Sequence, residues 1–324
     1  MNSRSVLLLT YGEPPTPAFG DQLRYSWRIL LGLTRSVAPI PAPLLPVIAL
    51  KRGWTRNRMW SAEKYGSPLE AITGRQAALV RAELERLEPG TRWEVRPAYE
   101  FRDPLLVDAI RALPDGAPVD VVPMYAACSA FTHDLSRRLL AGLPVGALGR
   151  RAVEVLPPLP EPQLAAVMVN HLLVAMDRLK LRGGADCALV LAAHGTLLRP
   201  PRPFETGRAA TERLYGLVRD KLHGHFGRVQ NCWLNHVYGG EWTRPAADEA
   251  LADLAREGFR RVVYFPYGFL ADNAESELEG RQVLRTQPGM EAHHLPCLNE
   301  DPALAKLIAR QVTGRLALAA PPAG

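Results

Sequence analysis

Two groups of side chains in this sequence have the types and spacing for acid–base or metal chemistry. His194 closes the apolar run 188–193 and is followed by Gly195, which permits a sharp turn and leaves the ring accessible. Further on, the strand-like run 261–267 empties into Asp272, Asn273, Glu275, Glu277 and Glu279. A neutral imidazole facing carboxylates can hold a divalent metal ion or move protons. Glu275 and Glu279 are four residues apart and share a helix face, where two carboxylates repel unless a cation or solvent relieves them. Each feature also has a plain structural reading. A backbone carbonyl in a strand-to-loop turn could satisfy His194. Asp272-Asn273-Ala274-Glu275 has the form of a capping box, with Asp272 as the cap.

Two further turns carry polar groups. Tyr11-Gly12-Glu13-Pro14 follows the apolar run 6–10, and a tyrosine there is either a core-edge residue or an oxygen ligand to a metal. Tyr65-Gly66-Ser67-Pro68-Leu69 reads as a helix start, with Ser67 as cap and Pro68 in the first helical position.

These groups need a frame, and the chain alternates strand-like and helix-like segments in the manner of a parallel α/β sheet. Strands are expected over 5–10, 93–98, 119–125 and 152–156, with a helix over 69–87. After a proline-rich stretch and an amphipathic segment over 163–181, the plan repeats. Strands are expected over 187–193, 229–234, 261–267 and 292–295. Helices fall between them over 206–222, 246–257 and 274–284, and a last one over 302–316. The fold class is therefore α/β: two similar domains, each a parallel sheet flanked by helices, with an active-site cleft between them at the carboxyl ends of the strands. The expected division is an N-terminal domain 1–160 containing an apolar lip segment (27–60), a C-terminal domain 161–317, and a flexible tail 318–324.

The 324 residues are 47% apolar and 22% charged, a globular rather than a disordered composition. The net charge of +6 includes no dense basic run interleaved with aromatics, so nucleic acid is not an expected partner. The surplus arginine suits an anionic small molecule or an acidic membrane surface. Cys128, Cys187, Cys232 and Cys297 form no Cys-x-x-Cys pair, which excludes zinc ribbons by spacing. The N-terminal apolar run is too short for a secretory signal, and no run approaches the ~18 apolar residues of a membrane span. The expectation is a cytoplasmic protein, with peripheral contact at a membrane left open. Its oligomeric state is not legible.

Taken together, the motifs resemble those of the ferrochelatases, in order along nearly the whole chain. They are Val6-Leu-Leu-Leu-Thr-Tyr-Gly-Glu-Pro14, Tyr65-Gly-Ser-Pro-Leu69, Val121-Val-Pro-Met-Tyr-Ala-Ala-Cys-Ser129 with Thr132, Leu191-Ala-Ala-His-Gly195, Phe265-Pro-Tyr-Gly-Phe-Leu-Ala-Asp-Asn-Ala-Glu275 and Pro296-Cys-Leu-Asn-Glu-Asp-Pro302. The resemblance implies a lyase of heme biosynthesis that inserts ferrous iron into a porphyrin. It makes His194 the leading base or metal ligand. Glu275, helped by Glu279, becomes the acid/base or metal-delivery group on the opposite side of the macrocycle centre. By the same resemblance Ser67 and Thr132 bind propionates, and Tyr11 faces the metal. No cofactor beyond substrate Fe2+ is implied, and with no cysteine after Cys297 no iron–sulfur cluster is expected.

The chain also departs from the family pattern. Asn273 stands where a histidine is expected, and Val283 where the acidic track would continue. Tyr11 matches coproporphyrin-type members, while the long 27–60 segment and Pro-Cys-Leu-Asn look more like the protoporphyrin type. Arg28, Arg35, Arg52 and Arg58 in that segment are either propionate partners or ordinary surface charge. Two other readings stand beside the enzyme: a non-catalytic heme- or tetrapyrrole-binding protein on the same fold, and a chelatase for another metal and tetrapyrrole.

Overall fold

Val6, Leu7, Leu8 and Leu9 are all fully buried, and a strand apolar on both faces needs cover on both. That requirement is met twice. The computed structural model describes residues 2–36, 40–200, 203–235 and 240–314, without the side chains of Asn2, Leu33, Arg35 and Ser36. The expected flexible tail and lip residues 37–39 lie outside the described residues.

The first half runs β1 (Asn2–Thr10), α1 (Phe19–Ser36), α2 (Leu45–Ala62), α3 (Leu69–Leu87), β2 (Thr91–Tyr99), α4 (Leu106–Arg111), β3 (Val119–Pro123), α5 (His133–Ala141) and β4 (Val153–Val155). α6 (Glu161–Arg178) leads into β5 (Gly184–His194), α7 (Arg208–Lys221), β6 (Phe226–Leu234), α8 (Ala247–Arg256) and β7 (Arg261–Phe265). A π-helix, Ala274–Glu279, continues as α9 (Gly280–Leu284), followed by β8 (Glu291–His294) and α10 (Pro302–Val312). The strands form two parallel sheets with the same order, β2-β1-β3-β4 and β6-β5-β7-β8. This is the expected α/β architecture of two similar sheets flanked by helices.

Strand alternation divides the core into layers. Val6 and Leu8 of β1 share one cluster with Leu189 and Leu191 of β5, together with residues of α3, α6 and α10. Leu7 and Leu9 face the other way, toward Leu106 and Ile110 of α4, while Val190 and Ala192 face Leu251 and Leu254 of α8. Each fully buried leucine contributes about 1.5–3 kcal/mol. Removing one from the shared middle layer therefore loosens the support of both sheets.

The apolar lip segment, to which the sequence reading assigns no secondary structure, is largely helical. It is two long helices, α1 and α2, packed through Leu30, Leu45 and Ala49. Prolines sit in the connection and in the first turn of α2, where no helical N–H is lost. Gly53 allows the close approach, since a Cβ there would lie 2.9 Å from Leu23 Cα. Leu44, Val47, Leu50 and Trp54 remain exposed. The helix expected over 274–284 also differs, because its first turn is a π turn.

Candidate active site

His194 is the last residue of β5, the centre of the second sheet. Residues 187–193 are buried while its own side chain is 48% exposed, so the strand carries it out of the core to an open edge. A Cβ at position 195 would run into Asn235 Oδ1 and the Leu234 carbonyl, so glycine is required at the turn. His194 Nδ1 lies 2.6 Å from Glu275 Oε1. The expectation that these two groups flank a macrocycle from opposite sides is therefore corrected: groups in hydrogen-bond contact leave no room for a ring between them, and they form one wall. Desolvation within that wall disfavours the imidazolium, but Glu275 in contact and Glu279 behind it outweigh this and raise the imidazole above its ordinary range.

Glu275 is available for this contact because the helix is capped by other residues. The cap is Asn273, one residue later than expected. Its Oδ1 accepts from Glu275 N (2.9 Å) and Ser276 N (3.1 Å), and Ser276 Oγ accepts from Asn273 N (3.0 Å). Asn273 is 2% exposed, so it lies within the cap rather than on the open edge beside His194. Asp272 turns instead to Cys297 N (2.8 Å) and Asn299 Nδ2 (2.7 Å), which explains the Pro-Cys-Leu-Asn segment as its anchor. His294 Nε2 donates to Ser276 O (2.8 Å), a carbonyl of the π turn, while its ring stacks on Tyr264. A π turn at such a place fits the general association of these turns with functional sites. Glu279 lies on the same side as Glu275. Burial and then Glu275 push its carboxyl up to about 7, against the opposing pull of Arg56 and His194. Glu277 points away, paired with Arg281 at 2.7 Å.

The first sheet presents a different set. Tyr11 follows β1 and packs against Leu69, Ile72 and Ala271, at the junction with the second half. Glu100 and Tyr125 follow the ends of β2 and β3, on either side of β1. Tyr125 Oη donates to Glu100 Oε2 at 3.0 Å. Burial pushes the Glu100 carboxyl up to about 8, and burial with neighbouring carboxylates keeps Tyr11, Tyr25 and Tyr125 as neutral phenols. Sequence reading missed Glu100, whose one signal is a charged residue directly after the buried strand end Ala98-Tyr99. Ser67 and Thr132 are engaged by their own turns. Ser67 Oγ accepts from Leu69 N (3.3 Å), while Thr132 Oγ1 accepts from Ser129 N (2.7 Å) and donates to Ala127 O (3.2 Å).

Of the lip arginines, Arg28 pairs with Asp103 (3.0 Å) and Arg58 lies over Trp54. The Arg35 side chain is outside the described residues. Arg52 turns inward beside Arg56, and its buried Nε has no partner among the described residues. Among the described residues no three His, Cys, Asp or Glu side chains form a closed metal cage. No described helix is long and apolar enough to cross a membrane. A hollow of about 220 Å³ near Leu173, Met176 and Phe226 lies at the opposite edge of the second sheet and includes none of the groups above.

The ferrochelatase family model matches residues 3–316. Mitochondrial ferrochelatase of Bos taurus is 25% identical over 328 residues, covering 96% of this chain and 77% of that one. Ferrochelatase of Methylibium petroleiphilum is 27% identical over 323 residues, covering 91% and 83%. Among solved structures, CbiX, described as the terminal enzyme for biosynthesis of siroheme in denitrifying bacteria, aligns with a TM-score of 0.52 at 18% identity. That match covers 97% of this chain and 100% of CbiX, and it concerns the fold alone. With a family match spanning both sheets and the cleft-edge residues of each, this chain belongs to the ferrochelatase family.

Proposed function

We propose that this protein inserts ferrous iron into a porphyrin, coproporphyrin III or protoporphyrin IX, as a step of heme biosynthesis. Members of the family are metal-insertion enzymes, and the observation that carries the reading is the His194–Glu275 contact with Glu279 behind it. Metallation releases two pyrrole protons as one Fe2+ enters. With Nδ1–H given to Glu275, the neutral ring keeps Nε2 as its basic nitrogen, the group to take a pyrrole proton or hold the metal. Glu275 stabilises the imidazolium that results. Glu279, titrating near neutrality, accepts a proton or passes the hard cation inward.

Arg52 is the lip residue best suited to a propionate, since its buried Nε has no partner among the described residues and a guanidinium makes a strong charge-assisted pair with a carboxylate. Tyr11 faces the metal as a neutral phenol, and Ser67 and Thr132 reach propionates only by giving up their turn hydrogen bonds. The exposed apolar residues of the lip support peripheral contact with a membrane surface.

The test is absorbance during incubation with Fe2+ or Zn2+ and, side by side, coproporphyrin III, protoporphyrin IX and sirohydrochlorin. The expected result is collapse of the free-base Q bands to the metalloporphyrin pair with one of the first two. Tight binding of porphyrin without that change would move the protein to a non-catalytic tetrapyrrole binder, a reading favoured by Asn273 and Val283 standing where the family pattern has a histidine and an acidic residue. Metallation of sirohydrochlorin alone would make it a chelatase for another tetrapyrrole.

A further inference from the structure

Glu13 plays no part in the chemistry above, yet it is 3% exposed and both of its oxygens are engaged. Oε2 accepts from Ala274 N at 2.9 Å, and Oε1 lies 3.2 Å from Arg56 Nη2. The first amides of a helix have no internal acceptor and must be met from outside. In the π-helix, Asn273 meets those of Glu275 and Ser276 with its side chain and that of Glu277 with its carbonyl. Ala274 N is left to Glu13, a residue of the other half of the chain. Arg56 is held just as closely. Its Nε donates to Gln22 Oε1 (2.9 Å), and its guanidinium lies over Tyr25 and Trp60. Trp60 in turn packs on Ala274 and Leu278 of the π-helix.

We propose that Glu13 is a positioning residue: by binding Ala274 and Arg56 at once, it sets the helix bearing Glu275 and Glu279 against the lip helix α2. The inference rests on the role given above to Glu275, the residue next to Ala274. A buried ion pair contributes little net stability, because desolvation offsets its Coulomb energy. Its effect here is geometric: the β1 exit, α2 and the acidic helix meet at one carboxylate. Displacing the helix start by ~1 Å would misplace Glu275 against His194, and misplacements of that size cost about a hundredfold in rate.

Glu13→Gln keeps an acceptor for Ala274 N and loses the ion pair, whereas Glu13→Ala loses both. Zn2+ insertion kinetics, with amide hydrogen exchange over 274–278 as the activity-independent readout, test the pair. Glu13→Ala should lower kcat about tenfold or more with the porphyrin KM within about twofold, and Ala274 N should exchange faster. Glu13→Gln should recover most of kcat and all of the protection. The double variant Glu13→Ala/Arg56→Met removes the stranded guanidinium and serves if Glu13→Ala folds poorly; it should show the same loss. Wild-type kcat in the alanine variants, or equal losses in the glutamine and alanine variants with unchanged exchange, would overturn the proposal. A wild-type protein that metallates no porphyrin overturns the enzyme reading instead, and the exchange data then decide the positioning claim alone.

Discussion

At the exit of β1 the chain reads Thr10-Tyr11-Gly12, and at the matching exit of β5 it reads Ala193-His194-Gly195. The neighbouring strands also correspond. β3 ends at Pro123 and continues as Met124-Tyr125, β7 continues as Pro266-Tyr267-Gly268, and the two are tied to the central strands by Met124 N to Leu9 O (2.8 Å) and Gly268 N to Ala192 O (3.1 Å). The two frames are alike and their contents differ. The first presents neutral phenols and a carboxyl kept protonated by burial; the second presents an imidazole in contact with a carboxylate. The frame thus supplies two equivalent edges, and the proposed function gives binding to one and proton or metal handling to the other by side-chain type.

The most direct way to break this division is His194→Ala. Metallation should fall about 10²–10⁴-fold, the usual worth of a general base, with porphyrin binding by fluorescence quenching nearly unchanged. If Tyr11→Phe costs as much, the two edges share the chemistry and the comparison fails. Glu275→Gln comes next, with an expected loss of about a hundredfold and a return of the imidazole toward its ordinary range. Because the folded-state pKa of His194 is raised, its coupling to Glu275 stabilises fully below the ordinary value of ~6.5 and fades as pH rises through the raised one. The denaturant-midpoint gap between wild type and Glu275→Gln should therefore be widest in mild acid and close as pH rises through the raised imidazole pKa; a gap that widens with pH would contradict the pairing.

Glu100 sharpens the comparison from the other side. Its carboxyl is raised from 4.5 to about 8, so the folded state binds the extra proton in that window and loses stability as pH rises through it. Glu100→Gln should remove that decline, measured as denaturant midpoints between pH ~5 and ~9, while metallation stays within about twofold. Smallest of all, Tyr11→Phe should shift the visible spectrum of the bound product with little change in rate. An unchanged spectrum would assign Tyr11 to packing against Leu69 and Ile72.

Much of this was legible from local pattern. α3 begins and ends where the periodicity of 69–87 puts it, and the exits of β1, β5 and β7 lie within two residues of expectation. A buried parallel strand writes itself as a short apolar run, and polar residues directly after it mark the cleft edge. The two helices of the lip were not legible, because prolines fill their connection and their packing is with each other. The cap was misplaced by one residue because Asp272 and Asn273 are both good caps, and only the distant Cys297 and Asn299 claim the first.

The sequence by itself determined the repeated α/β plan, the family and the edge positions of His194 and Tyr11, since these follow from strand periodicity and from motifs a few residues long. Tertiary structure alone decided that His194 and Glu275 touch on one wall, that Asn273 is buried in a cap, and that Glu13 reaches Ala274 across the two halves. The reason is physical. A hydrogen bond between residues far apart in the chain depends on where whole layers pack, and burial, which sets the charge of Glu100 and Glu279, comes from neighbours that no local window contains.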